Sequence, residues 1–111
     1  AILHEGAHVL PGSIINANSV IGEGSIINSG AIVEHDSYVG KNNHVAPRSV
    51  LCGNVKTGNN CHIGAGSTII QGIDIADNSV IGAGAILTSA IIEKNTILYP
   101  AKGFITKRKN S

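Results

Sequence analysis

At 111 residues with a formal net charge of +1, the chain is long enough for one domain and lacks the basic excess of a phosphate-tracking surface, so no nucleic-acid partner is expected. It is 42% hydrophobic yet has one Phe, two Tyr, no Trp and 14 Gly, which points to a narrow core of aliphatic and small side chains. No apolar run reaches 18 residues and no basic-then-apolar leader opens the chain, so neither a membrane span nor a signal peptide is expected.

Two cysteines, Cys52 and Cys61, are too few for a disulfide framework and read as reduced thiols of a cytoplasmic protein. The chain starts at Ala1 and contains no Met, so it reads as a fragment or processed product.

Counting in sixes from Leu3 exposes a repeat. A first coil places Leu3, Val9 and Ile15 at the first position of each unit. The next coils place Ile21, Ile27 and Val33, then Val39, Val45 and Leu51, then Thr57, Ile63 and Ile69, then Ile75, Ile81 and Leu87. Thr57 alone departs from an aliphatic residue. The fifth position is mostly small, as at Ala7, Ser19, Ser37, Cys61 and Ala85. One large and one small inward side chain per six residues make a short strand and a corner. Three units close a triangular coil of 18 residues, and five coils stack to a prism roughly 24 Å tall at the parallel strand spacing.

The phase is expected to hold to Ile92, giving a β-helix domain over 1–92 and a C-terminal cap and basic tail over 93–111. Gly22, Gly40, Gly58, Gly64 and Gly82, just after the first position, read as corner residues needing permissive backbone angles. Residues 18 apart share a column, and one outward column reads Ile14, Ile32, Val50, Thr68 and Ile86. Such an apolar stripe favours an interface between prisms, as in a homotrimer, over scattered surface apolars.

The five histidines, His4, His8, His35, His44 and His62, fall outside the inward positions. His44 and His62 share an outward column with His8 and should lie one coil apart. His35 belongs near a corner, flanked by Glu34 and Asp36. A His beside a carboxylate can serve as a general base, although an exposed corner His with incidental acidic neighbours has the same spelling. Cys61 is inward, and Cys52 has no base beside it, so neither reads as a nucleophile.

Residues 28–47, Asn28-Ser-Gly-Ala-Ile-Val-Glu-His-Asp-Ser-Tyr-Val-Gly-Lys-Asn-Asn-His-Val-Ala-Pro, resemble the active-site stretch of sialic-acid O-acetyltransferases and bacillosamine-type nucleotide-amino-sugar N-acetyltransferases. The likeness continues through Cys52-Gly-Asn-Val-Lys-Thr-Gly-Asn-Asn-Cys-His-Ile-Gly-Ala-Gly-Ser (52–67), Gly82-Ala-Gly-Ala (82–85) and Tyr99-Pro-Ala-Lys (99–102). It implies an all-β, left-handed parallel β-helix of about five triangular coils with a short C-terminal extension. It also implies acetyl-CoA as donor, a sugar or nucleotide-sugar acceptor, a homotrimer, and an N-terminal sugar- or nucleotide-binding domain beyond this chain.

By that resemblance His35 is the general base and Asp36 its orienting carboxylate. Asn28 would position substrate or the surroundings of His35, and His44 would contact the thioester region or the sugar. The Gly53 N–H would donate to the thioester oxygen. Ala65 and Ala83 would line the pantetheine path, and Lys102 would reach the CoA phosphate, with Lys107, Arg108 and Lys109 as weaker candidates. No metal is expected. Two other readings share the prism: a γ-type carbonic anhydrase, which needs three imidazoles converging on zinc and whose His-x4-His pair is absent here, and a non-catalytic scaffold.

Overall fold

The computed structural model describes residues 1–99 and the backbone of Phe104–Arg108. Two-residue strands recur every six residues from Ile2–Leu3 to Ile86–Leu87, and no helix interrupts them. Strands 18 residues apart pair in parallel, as in Ile2↔Val20, Ile26↔His44 and Thr68↔Ile86. The chain thus winds as a triangular parallel β-helix of five coils with three faces.

The outward residues of the first face are Ile2, Val20, Tyr38, Lys56 and Asp74. Those of the second face are His8, Ile26, His44, His62 and Val80. Those of the third face are Ile14, Ile32, Val50, Thr68 and Ile86.

The large inward positions form one aliphatic column, fully buried from Ile21 through Val45, Ile63 and Ile81. Leu3 and Val9 are exposed and Ile15 is half-buried, because the first coil pairs on one side only. Thr57 keeps its place in the column for a polar reason. Its hydroxyl accepts the Gly40 N–H at 3.1 Å.

Several of the small inward positions wire one coil to the next. Ser25 Oγ donates to the Gly40 carbonyl at 2.6 Å and accepts the Asn43 N–H at 2.9 Å. Ser19 and Ser37 repeat the pattern, which explains why serine recurs inside a dry core.

The corner glycines serve a different purpose from the expected one. Left-handed backbone falls at the fourth place of the unit, as at Gly24 (φ 70), Asp36 (φ 59) and Arg48 (φ 60). Gly22, Gly40, Gly58, Gly64 and Gly82 have no positive φ. At Gly22 and Gly40 the constraint is space, since an added Cβ would collide with the carbonyl of the glycine one coil on. A Cβ at Gly64 would lie 2.5 Å from the Ala83 nitrogen.

The six-residue phase ends at Leu87, five residues before the expected limit. Ile91 pairs with Ile75, a spacing of 16, and so fills the large slot instead of the small one. Ile92 is 85% exposed. Strand Thr96–Tyr99 then joins the second face beside Val80–Ile81, and Phe104–Arg108 pairs antiparallel with it.

Candidate active site

The corner between the third and first faces carries His35 and Asp36. Val33 ends one strand and Tyr38 begins the next, so both residues lie on the turn. Asp36 adopts left-handed backbone, which Asp tolerates better than most side chains. Its Oδ2 is 3.0 Å from His35 Nδ1. Glu34, the other acidic neighbour, accepts Asn16 Nδ2 at 2.6 Å and is committed to the coil above. With Nδ1–H held by the carboxylate, a neutral imidazole presents its lone pair at Nε2.

Gly53 lies one coil on, directly against this ring. A Cβ at Gly53 would sit 2.7 Å from His35 Nε2 and 2.8 Å from Cε1, so only glycine leaves the imidazole in place. The Gly53 N–H enters no described hydrogen bond, while its carbonyl accepts from Gly72. An uncommitted donor thus stands beside an uncommitted acceptor nitrogen.

The corner between the second and third faces carries Asn28, Ala65 and Ala83, and His44 lies on the adjoining second face. Asn28 Nδ2 is 3.1 Å from His44 Nε2, and the Ser29 N–H donates to Asn28 Oδ1 at 2.7 Å. Asn28 therefore contacts His44, not His35. Ala65 and Ala83 are exposed, and neither N–H enters a described hydrogen bond.

His44 also meets His62 edge to face, with centroids 5.0 Å apart and planes at 68°. Burial, together with the neighbouring His44, pushes the His62 pKa below the usual histidine value. The structure therefore forms two clusters on different corners, His35–Asp36–Gly53 and Asn28–His44–His62.

Both cysteines are free. Cys61 is buried, and burial raises its thiol pKa, in keeping with a core residue. Lys102 and Lys109 lie outside the described residues, as do the side chains of Lys107 and Arg108. Among the described residues, no group of three or more His, Cys, Asp or Glu gathers as a metal site, and no helix is long and apolar enough to cross a membrane. An open groove of about 450 Å³ lies at the remaining corner, lined by His4, Glu5, Gly22, Glu23, Tyr38 and Lys41. None of the described residues singled out as site candidates lines it.

Six-residue units closing a triangular parallel prism define the class of hexapeptide-repeat β-helices. Residues 18–53 match the family described as bacterial transferase hexapeptide (six repeats), and residues 49–89 match the hexapeptide repeat of succinyl-transferase. Together the two matches cover residues 18–89, and over that span the chain is similar to the hexapeptide-repeat transferases.

A histidine-to-asparagine mutant of perosamine N-acetyltransferase from Caulobacter crescentus, solved with CoA and GDP-perosamine, superposes with a TM-score of 0.79 at 26% identity, covering 96% of this chain and 53% of that one. The acetyltransferase domain of PglB from Neisseria gonorrhoeae, solved with acetyl coenzyme A, has a TM-score of 0.65 at 26% identity, covering 88% and 54%. A maltose O-acetyltransferase from Clostridium difficile shares the fold, with a TM-score of 0.77 at 23% identity, covering 100% and 70%. The chain thus spans about half the length of the first two. No curated protein matches it.

Proposed function

We propose that the protein is an acetyl-CoA-dependent acetyltransferase that modifies an amino or hydroxyl group of a sugar or nucleotide sugar. The observation that carries this reading is the third–first corner. There a carboxylate-paired imidazole leaves Nε2 beside an uncommitted backbone N–H. Acyl transfer needs those two groups side by side: a base for the acceptor proton and a donor for the developing oxyanion. The similarity to sugar acetyltransferases solved with CoA or acetyl-CoA supports the donor, and GDP-perosamine in one of them supports a nucleotide-sugar acceptor.

In this mechanism the acceptor nitrogen or oxygen attacks the thioester carbonyl while His35 Nε2 takes its proton. Asp36 holds the Nδ1–H and stabilises the imidazolium. The Gly53 N–H donates to the tetrahedral oxyanion. The C–S bond then breaks, and His35 returns the proton to the departing thiolate of CoA. No acyl-enzyme forms.

The active unit is proposed to be a homotrimer. The third-face column Ile14–Ile86 remains apolar at its surface, with Ile14 50% and Ile86 58% exposed. Packing it against a second prism would bring the His35 corner of one chain towards the Asn28 and His44 corner of the next. The groove so formed would hold pantetheine along Ala65 and Ala83, and Lys102 is proposed for the CoA phosphate. Two free thiols suit a reducing, cytoplasmic setting.

The test is release of free CoA from acetyl-CoA with a panel of amino sugars, neutral sugars and their nucleotide derivatives. Acceptor-dependent release is expected. An absence of acetyl-CoA binding by calorimetry would overturn the transferase reading itself.

A further inference from the structure

The two histidines of the proposed site are held by different ring nitrogens, and this assigns them different chemistry. At His35 the carboxylate of Asp36 takes Nδ1, leaving Nε2 as acceptor. At His44 the polarity follows from a chain of two bonds. The Ser29 backbone N–H can only donate, so the Asn28 atom 2.7 Å from it is the carbonyl oxygen. The amide nitrogen of Asn28 must then face His44 Nε2, at 3.1 Å. An NH₂ group only donates, so Nε2 carries a lone pair and the His44 proton resides on Nδ1.

His44 stands among the outward side chains of the second face. Its strand neighbours on the second face present Ile26 on one side and His62 on the other. The His62 ring packs edge to face on His44, so a proton on one opposes a proton on the other. Among the described side chains, the outward residues of this face, His8, Ile26, His44, His62, Val80 and Ile97, include no carboxylate. No described hydrogen bond occupies His44 Nδ1.

We infer that His44 acts as a neutral hydrogen-bond donor through Nδ1–H towards an oxygen of a bound ligand, and that Asn28, oriented by the Ser29 N–H, is the positioning residue that fixes this tautomer. Asn28 then acts through His44 and has no direct role on substrate. The inference rests on the proposed function for the identity of the ligand oxygen, which is a carbonyl or hydroxyl of donor or acceptor. The tautomer itself does not depend on that reading.

The test is ¹⁵N-edited NMR of histidine side chains in the full chain at neutral pH, with His44 assigned through His44→Gln. The expected pattern is a protonated Nδ1 and an unprotonated Nε2. An Nε2–H tautomer or an imidazolium would overturn the inference. Asn28→Asp keeps the Ser29 bond but replaces the amide donor with an acceptor. It should move the His44 proton to Nε2 or charge the ring, and an unchanged ¹⁵N pattern would overturn the role of Asn28. His62→Phe keeps the edge contact and should leave the tautomer in place, whereas a switch there would show that Asn28 does not fix it. In transfer assays Asn28→Asp should lower kcat about tenfold with little change in KM, the size expected for one lost donor. The NMR result needs no substrate, so failure of the transferase reading and failure of the tautomer assignment are separately visible.

Discussion

The His35 corner and the His44 corner use the same side chain under different control. At His35 the partner is a carboxylate, the ring is 58% exposed, and Gly53 clears the space beside Nε2. At His44 the partner is an amide, the ring is half-buried, and a second imidazole crowds it. A carboxylate favours an imidazole that can accept a proton, whereas an amide donor and a neighbouring His favour one that stays neutral. In the proposed mechanism the identity of the partner atom thus separates a base from a hydrogen-bond donor.

The largest effect should come from His35→Ala. Removal of a positioned base typically costs about 10²–10⁴-fold in rate, and stopped-time assays of CoA release would show it without loss of acetyl-CoA binding. Gly53→Ala comes next. The new methyl would meet the imidazole 2.7 Å from Nε2 and push it aside. A displacement of about 1 Å at reacting groups can cost 10²-fold, so kcat should fall while the thermal midpoint moves little.

Asp36→Asn exchanges a charge-assisted bond for a neutral one and should slow transfer about five- to tenfold, measurable as kcat. An Asp36→Asn effect as large as that of His35→Ala would merge the two roles and break the comparison. The smallest effect concerns His62. Its folded-state pKa lies below the ordinary value, so the unfolded chain binds the proton more readily. Stability from this site is full above the ordinary histidine pKa and declines as pH falls through it towards the lower folded value. His62→Phe should flatten that slope in denaturation curves taken across mildly acidic pH.

Much of this was legible in the sequence. The aliphatic column, the three faces and the parallel stacking follow from the six-residue period, because the large inward position is aliphatic in every unit except at Thr57. His35–Asp36 was legible because the partners are adjacent in the chain, and His44–His62 because they are 18 apart. The left hand and the reaction rested on resemblance. Asn28–His44 escaped column arithmetic because 16 residues separate the pair across a corner. The end of the phase after Leu87 was hidden because Ile91 and Ile92 are both apolar, so counting in sixes passes over the shortened turn. The glycine pattern misled because glycine serves two needs, left-handed backbone at the fourth place and clearance at the second.

The most direct measurement is acetyl transfer by wild-type protein and His35→Ala, with acetyl-CoA binding followed by calorimetry on the same preparations. Equal binding and at least a 10²-fold lower rate in the variant are the result this account predicts. Equal rates at equal binding would contradict it.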